Sequence, residues 1–105
     1  MKIISPKELK IKLESNDNIQ IIDIREPYEY EDGAICNENI PLDKMMTSTK
    51  RIAKDKPVII YCKTGRRSSA IIYMLEIEFH YNNLFCLEGG YTAYMEEEYA
   101  QQVQY

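Results

Sequence analysis

One cysteine stands where it could act as a nucleophile. Cys62 closes the run Val58-Ile59-Ile60-Tyr61 and is followed by Lys63-Thr64-Gly65-Arg66-Arg67-Ser68-Ser69. The run is apolar, rich in β-branched residues and opened by Pro57, which predicts a buried strand. Gly65 predicts a turn. Ala70, Ile71, Met74, Leu75 and Phe79 then recur at helical spacing. Cys62 is therefore expected at the carboxyl end of a strand, in a tight loop that opens a helix. Open α/β sheets bind their ligands at such places.

That loop suits an anion. The first N–H groups of a helix lack partners within it, and the helix dipole places partial positive charge there. Gly65 lets the backbone curl so that successive N–H groups point inward. Lys63, Arg66 and Arg67 add positive side chains close to the cysteine. A free thiol ionises near about 8.5, and surroundings of this kind lower it to roughly 3.5–7.5. The expected chemistry is a nucleophilic Cys62 acting on an anionic substrate. The alternative is a strand-end cysteine that only fills core space.

The elements that must position this loop alternate along the chain. Lys2-Ile3-Ile4 is a short strand. Ser5-Pro6-Lys7-Glu8 starts a helix, with Ser5 as N-cap, Pro6 at the first position and Glu8 completing a capping box. Ile19 to Ile24 is a second strand, apolar enough to be covered on both faces. Asp23 and Arg25 at its end are expected to pair and fix the adjoining loop, with substrate contact as the alternative. Glu26 to Gly33 suggests a short acidic helix, and Ala34-Ile35-Cys36 a brief third strand. Asp43 is a candidate cap for a helix towards Ala53, with Met45, Met46 and Ile52 facing inward. After Val58–Tyr61 and the helix to Phe79, His80 is expected to cap that helix or lie at the surface, with a general-base role as the alternative, and Leu84-Phe85-Cys86-Leu87 forms the last strand. Cys86 is expected to pack in the core. A final helix runs from Tyr91 to Tyr105. This alternation implies a mainly parallel, five-stranded sheet with helices on both faces.

Composition narrows the function. A chain of 105 residues is expected to form one domain, residues 1–105. The net charge of -4 argues against general nucleic-acid or membrane-surface binding, and the basic cluster after Cys62 is local against that background. No signal peptide or spanning segment is apparent. The three cysteines, Cys36, Cys62 and Cys86, lack metal-type spacing. Free thiols and a cytoplasmic location are the expectation.

The blocks around these residues resemble the rhodanese family of sulfurtransferase domains, in its small single-domain form. Ile21-Ile22-Asp23-Ile24-Arg25-Glu26 looks like that family's Asp-x-Arg-Glu segment. Gly33-x-Ile35 with Asn39-Ile40-Pro41-Leu42 resembles its second block. Cys62-Lys63-Thr64-Gly65-Arg66-Arg67-Ser68 matches its active loop, Cys-x-x-Gly-x-Arg-Ser. Leu87-x-Gly89-Gly90-Tyr91 is similar to its closing block. The likeness spans about Ile19 to Tyr94. Ala34 stands where many members have histidine, and Asn37-Glu38 replaces the usual Gly-Ala.

The resemblance implies a thiosulfate sulfurtransferase. Cys62 would take a sulfane sulfur from a small anionic donor and hold it as a persulfide. It would then pass the sulfur to cyanide, a thiol or a protein acceptor. Loop groups from Lys63 through Thr64 and Gly65 to Arg66 and Arg67 would hold the substrate. Arg67 could instead turn back to a carboxylate and brace the loop. No metal or organic cofactor is implied, nor any nucleic-acid or membrane partner. Three rivals stand beside this reading. A cysteine phosphatase or arsenate reductase uses Cys-x5-Arg, whereas Arg67 comes after Cys62 with only four residues between and position 68 is serine. A binding or regulatory module would keep the fold without turnover, and a persulfide carrier would keep the first half-reaction and change only the acceptor.

Overall fold

The computed structural model describes residues 1–103. Its strands are β1 (Lys2–Ile4), β2 (Gln20–Asp23), β3 (Val58–Tyr61) and β4 (Leu84–Leu87). They form one sheet in the order β1-β4-β3-β2, with every pairing parallel. The helices are α1 (Pro6–Glu14), α2 (Pro27–Glu31), α3 (Arg66–Phe79) and α4 (Gly90–Gln102). Two 3-10 turns, Leu42–Thr47 and Thr49–Arg51, lead into β3.

β3 is central and every residue of it is buried. Side chains alternate across a strand. Val58 and Ile60 therefore face one layer with Ile22, Ile71, Ile72, Leu75 and Met45. Ile59 and Tyr61 face the other, with Ile4, Leu9 and Leu87. Each buried Ile or Leu contributes about 1.5–3 kcal/mol relative to exposure. The apolar runs thus demand cover on both faces, and α3 lies on one while α1 and α4 lie on the other. Ser5 and Glu8 cap α1 reciprocally, at 3.1 and 2.9 Å.

The sheet has four strands, not the five expected. Ala34-Ile35-Cys36 does not pair as a strand. Other groups bind it instead: the Ile35 N–H donates to Tyr61 Oη at 3.1 Å, and the Cys36 thiol donates to the Glu38 carbonyl at 3.4 Å. The following residues reach the sheet edge at an isolated bridge between Asp23 and Asn39. The expected helix from Asp43 is likewise replaced by the 3-10 turns. The Leu42 N–H is tied to Ile24 O at 3.0 Å, so the turn begins one residue before Asp43, which is then inside it and not its cap. Met45 and Ile52 are buried as their pattern suggests. On α3 the buried stripe is Ser68, Ile71, Ile72 and Leu75, whereas Ala70, Met74 and Phe79 are exposed. α4 ends at Gln102; the expected continuation to Gln104 and Tyr105 lies outside the described residues.

The parallel topology brings the carboxyl ends of β3 and β4 side by side, so the loop after Tyr61 meets the start of α4. There Gly90 adopts φ +62 against the chain after β3. A Cβ on it would fall 2.5 Å from Cys62 O and 2.6 Å from Lys63 O, both backbone atoms. At Gly65, φ +100, a Cβ would meet nothing closer than 3.7 Å. Gly65→Ala should therefore cost only backbone strain, about 1–3 kcal/mol. Gly90→Ala adds a collision with backbone and should cost clearly more, measured by urea unfolding of the two variants.

Candidate active site

Cys62 comes directly after β3 and is 1% exposed. Two hydrogen bonds from the first turn of α4 set its backbone. The Tyr91 N–H donates to Cys62 O at 2.8 Å, and the Thr92 N–H donates to Lys63 O at 3.0 Å. In a trans peptide the C=O and the next N–H point in opposite directions. Turning these two carbonyls towards α4 therefore turns the N–H groups of Lys63 and Thr64 the other way, into the loop.

The loop closes on the sulfur. The Gly65 N–H donates to Cys62 Sγ at 3.1 Å and the Ser68 N–H at 3.4 Å. The Ser68 hydroxyl lies 3.5 Å from the same atom. Gly65 is the N-cap of α3, a helix of 14 residues whose positive end faces the sulfur. Burial pushes the Cys62 thiol up, but the Ser68 hydroxyl and the N–H groups of Ser68, Gly65 and Thr64 outweigh it. The net result is a pKa below the usual thiol range. Donors fixed around a developing negative charge need no reorganisation when it forms.

The basic side chains divide into two sets. Lys63 and Arg66 are exposed at the loop rim, and neither joins a salt bridge among the described residues. Thr64 is also exposed. Arg67 turns away from the mouth to α2, where its guanidinium donates to both Glu29 oxygens at 3.3 and 3.5 Å. Burial pushes Glu29 up, but the Arg67 guanidinium holds it below the ordinary carboxylate value. Open grooves flank the loop. One of about 660 Å³ is lined by Lys63, Tyr91 and Met95, and one of about 460 Å³ by Thr64, Arg66 and Cys86. A wider groove, about 900 Å³, lies along the outer edge of β2 and does not include the Cys62 loop.

Asp23 and Arg25 do not touch Cys62. Arg25 Nη2 donates to Asp23 Oδ2 at 2.8 Å, and the Arg25 N–H to Oδ1 at 2.8 Å. Tyr61 Oη donates to Asp23 Oδ2 at 2.6 Å, and Arg25 Nη2 also reaches Gly33 O at 2.6 Å. Both charged residues are buried. The Arg25 guanidinium stacks 4.1 Å from the ring centre of Tyr91, whose N–H holds Cys62 O. The pair therefore braces the segment that clamps the loop. His80 caps the far end of α3 through its N–H to Glu76 O at 3.1 Å. That is roughly 20 Å from the loop along the helix, too far for proton transfer at Cys62.

The sequence did not single out Glu29, Tyr61 or the Ser68 hydroxyl as partners. Ser68 stands inside the quoted loop pattern, so its place was visible but its bond was not. Glu29 lies 38 positions from Arg67, and nothing in the spacing joins them.

Comparison with known proteins gives the family and the fold. The family model of the rhodanese-like domain matches residues 5–97. Uncharacterized protein YqhL of Bacillus subtilis is 37% identical over 76 residues, which is 71% of this chain and 60% of that protein. A sulfurtransferase of Allochromatium vinosum is 30% identical over 93 residues, 87% of this chain and 85% of that one. The crystal structure of a rhodanese-like domain protein from Staphylococcus aureus superposes with a TM-score of 0.81 at 33% identity, covering 90% of this chain and 91% of that one. Other curated relatives are much longer, and the chain spans 26% of their length.

The buried brace yields a stability prediction. Asp23→Ala leaves the Arg25 guanidinium buried without its partner and should cost about 3–5 kcal/mol in urea unfolding. Tyr61→Phe removes two hydrogen bonds, the one donated to the Asp23 carboxylate and the one accepted from the Ile35 N–H, and should cost about 2–4.5 kcal/mol. The Asp23→Ala, Arg25→Ala double variant should lose less than the sum of the two single losses, since the second change removes the orphaned charge.

Proposed function

The chain belongs to the rhodanese-like domain family, and on that footing we propose that it is a sulfurtransferase that carries a sulfane sulfur on Cys62. The observation that carries this reading is the Cys62 sulfur held by inward N–H groups at 3.1 and 3.4 Å, with its pKa lowered. A thiolate prepared this way attacks the outer sulfur of thiosulfate. The new bond joins Cys62 Sγ to that sulfur, the S–S bond of thiosulfate breaks, and sulfite leaves with the bonding pair. A Cys62 persulfide anion remains in the cradle that held the thiolate. A nucleophile such as cyanide or a thiolate then attacks the terminal sulfur, and Cys62 returns to its thiolate.

Each loop residue has a part in this scheme. Lys63 and Arg66, exposed at the rim, draw in the dianion and neutralise departing sulfite. The N–H groups of Thr64 and Gly65 hold the persulfide charge. Arg67, engaged with Glu29, keeps the first turn of α3 in place. Asp23 and Arg25 support the α4 clamp. Thiosulfate is the simplest donor for this charge distribution. The acceptor is a small thiophile or a thiol on a protein, and in the second case the chain acts as a persulfide carrier.

A phosphatase is disfavoured by the same geometry. Such enzymes hold a tetrahedral oxyanion with an arginine from the loop, and Arg67 is engaged with Glu29. The loop is also one residue shorter than Cys-x5-Arg.

Intact mass measured after incubation with thiosulfate tests the proposal. Wild-type protein should gain the mass of one sulfur atom, the gain should be lost on reduction, and Cys62→Ser should gain none. Hydrolysis of an aryl phosphate with no such gain would overturn the reading in favour of the phosphatase.

A further inference from the structure

Cys86 takes no part in the scheme above, yet it lies directly behind it. Its register partner on β3 is Ile60, and Cys62 stands two positions later on the same face. Cys86 Sγ is 3.3 Å from Ser68 Oγ, and Ser68 Oγ is 3.5 Å from Cys62 Sγ. Cys86, Ser68 and Cys62 thus form a buried line under the loop, with exposures of 4%, 0% and 1%.

The Gly65 carbonyl determines where the protons of this line go. It already accepts the Ser69 N–H at 3.0 Å and the Ser69 hydroxyl at 2.7 Å. Those two donors fill its two lone pairs. The Ser68 hydroxyl contact at 3.2 Å is a third and weaker claim on the same oxygen. A Cys62 thiolate, in contrast, is a charged acceptor that binds the Ser68 proton more strongly than a neutral one would. Ser68 has a single proton, so once it points at Cys62 its oxygen is free to accept. The Cys86 thiol is the donor at hand. Its other neighbours are farther away: Ser69 Oγ at 3.5 Å, Gly65 O at 3.8 Å and Leu87 O at 3.9 Å. Donors linked in series polarise one another.

We propose that Cys86 is a positioning residue for Cys62: its S–H donates to Ser68 Oγ and directs the Ser68 hydroxyl proton onto the Cys62 sulfur. This inference rests on the reading of Cys62 as the reacting thiolate. A disulfide is not the role of Cys86. An offset of two residues along adjacent strands separates the Cα atoms by roughly 8 Å, beyond the usual bridging distance.

The test compares Cys86→Val with Cys86→Ser. Valine removes the donor and adds one methyl group, whereas serine keeps a donor and leaves a small gap. The readout is the pH of half-maximal Cys62 alkylation by iodoacetamide, resolved by peptide mass spectrometry, beside the thermal melting of each variant. The midpoint should rise in Cys86→Val by about half a pH unit, about threefold less thiolate on the acid side. It should stay at or below the wild-type value in Cys86→Ser. In a Ser68→Ala background, Cys86→Val should have no further effect. A packing role alone gives a different pattern: both variants melt lower than wild type, and neither moves the midpoint. That pattern, or an undiminished valine shift without the Ser68 hydroxyl, would overturn the proposal. Should Cys86→Val unfold, Cys86→Ala provides the same comparison. The absence of a persulfide on wild-type Cys62 would remove the sulfur-transfer reading alone, since alkylation reports the thiolate and not its reaction with sulfur donors.

Discussion

Two hydrogen bonds govern the site: Tyr91 N–H to Cys62 O and Thr92 N–H to Lys63 O. They tie the carbonyls after β3 to α4. Because each peptide is planar and trans, the next N–H groups must point into the loop. Gly65 and α3 then complete the ring of donors around Cys62 Sγ. The cradle is therefore a consequence of joining two adjacent parallel strands to two helices, and Gly90 is the point at which their backbones come close enough. The donors at Cys62 Sγ are the Gly65 and Ser68 N–H groups and the Ser68 hydroxyl, and no basic side chain is among them.

The charged residues around the loop hold positions more than they supply stability. Asp23 and Arg25 are buried together, and taking such a pair out of water offsets much of its attraction. What the pair achieves is geometric. It joins the end of β2 to Tyr61 on β3, to Gly33 and to the Tyr91 ring at the start of α4. Arg67 and Glu29 do the same between α3 and α2, partly exposed to solvent. Of the three basic residues after Cys62, Lys63 and Arg66 remain exposed at the rim.

Much of this was legible in the sequence because it is periodic or local. The β-branched run before Cys62, the capping box at Ser5 and Glu8, the helical spacing after Gly65 and the paired glycines before Tyr91 each act within a few residues. The parts that escaped depend on contacts between distant segments. Ala34 to Cys36 has the composition of a strand, but the Tyr61 hydroxyl takes its backbone donor and no edge pairing forms. The stretch after Asp43 has helical spacing, but its start is tied to Ile24 and it winds into 3-10 turns. Ser68 was visible as a loop residue, while its contact with Cys62 on one side and Cys86 on the other depends on how β3, β4 and α3 meet. Pairing Arg67 with Glu29 likewise required knowing that α2 packs beside α3.

The central claim is that the folded loop makes Cys62 a thiolate more readily than a free thiol. The most direct measurement is the ultraviolet thiolate absorbance of the wild-type protein across pH, taken as a difference from Cys62→Ser. The difference signal should appear with a midpoint below the free-thiol value of about 8.5. Unfolding in urea should move that midpoint up to the free-thiol value, because the donors around the sulfur exist only in the fold. A native midpoint at or above the free-thiol value would contradict the claim, since burial would then outweigh the donors that the fold directs at the sulfur.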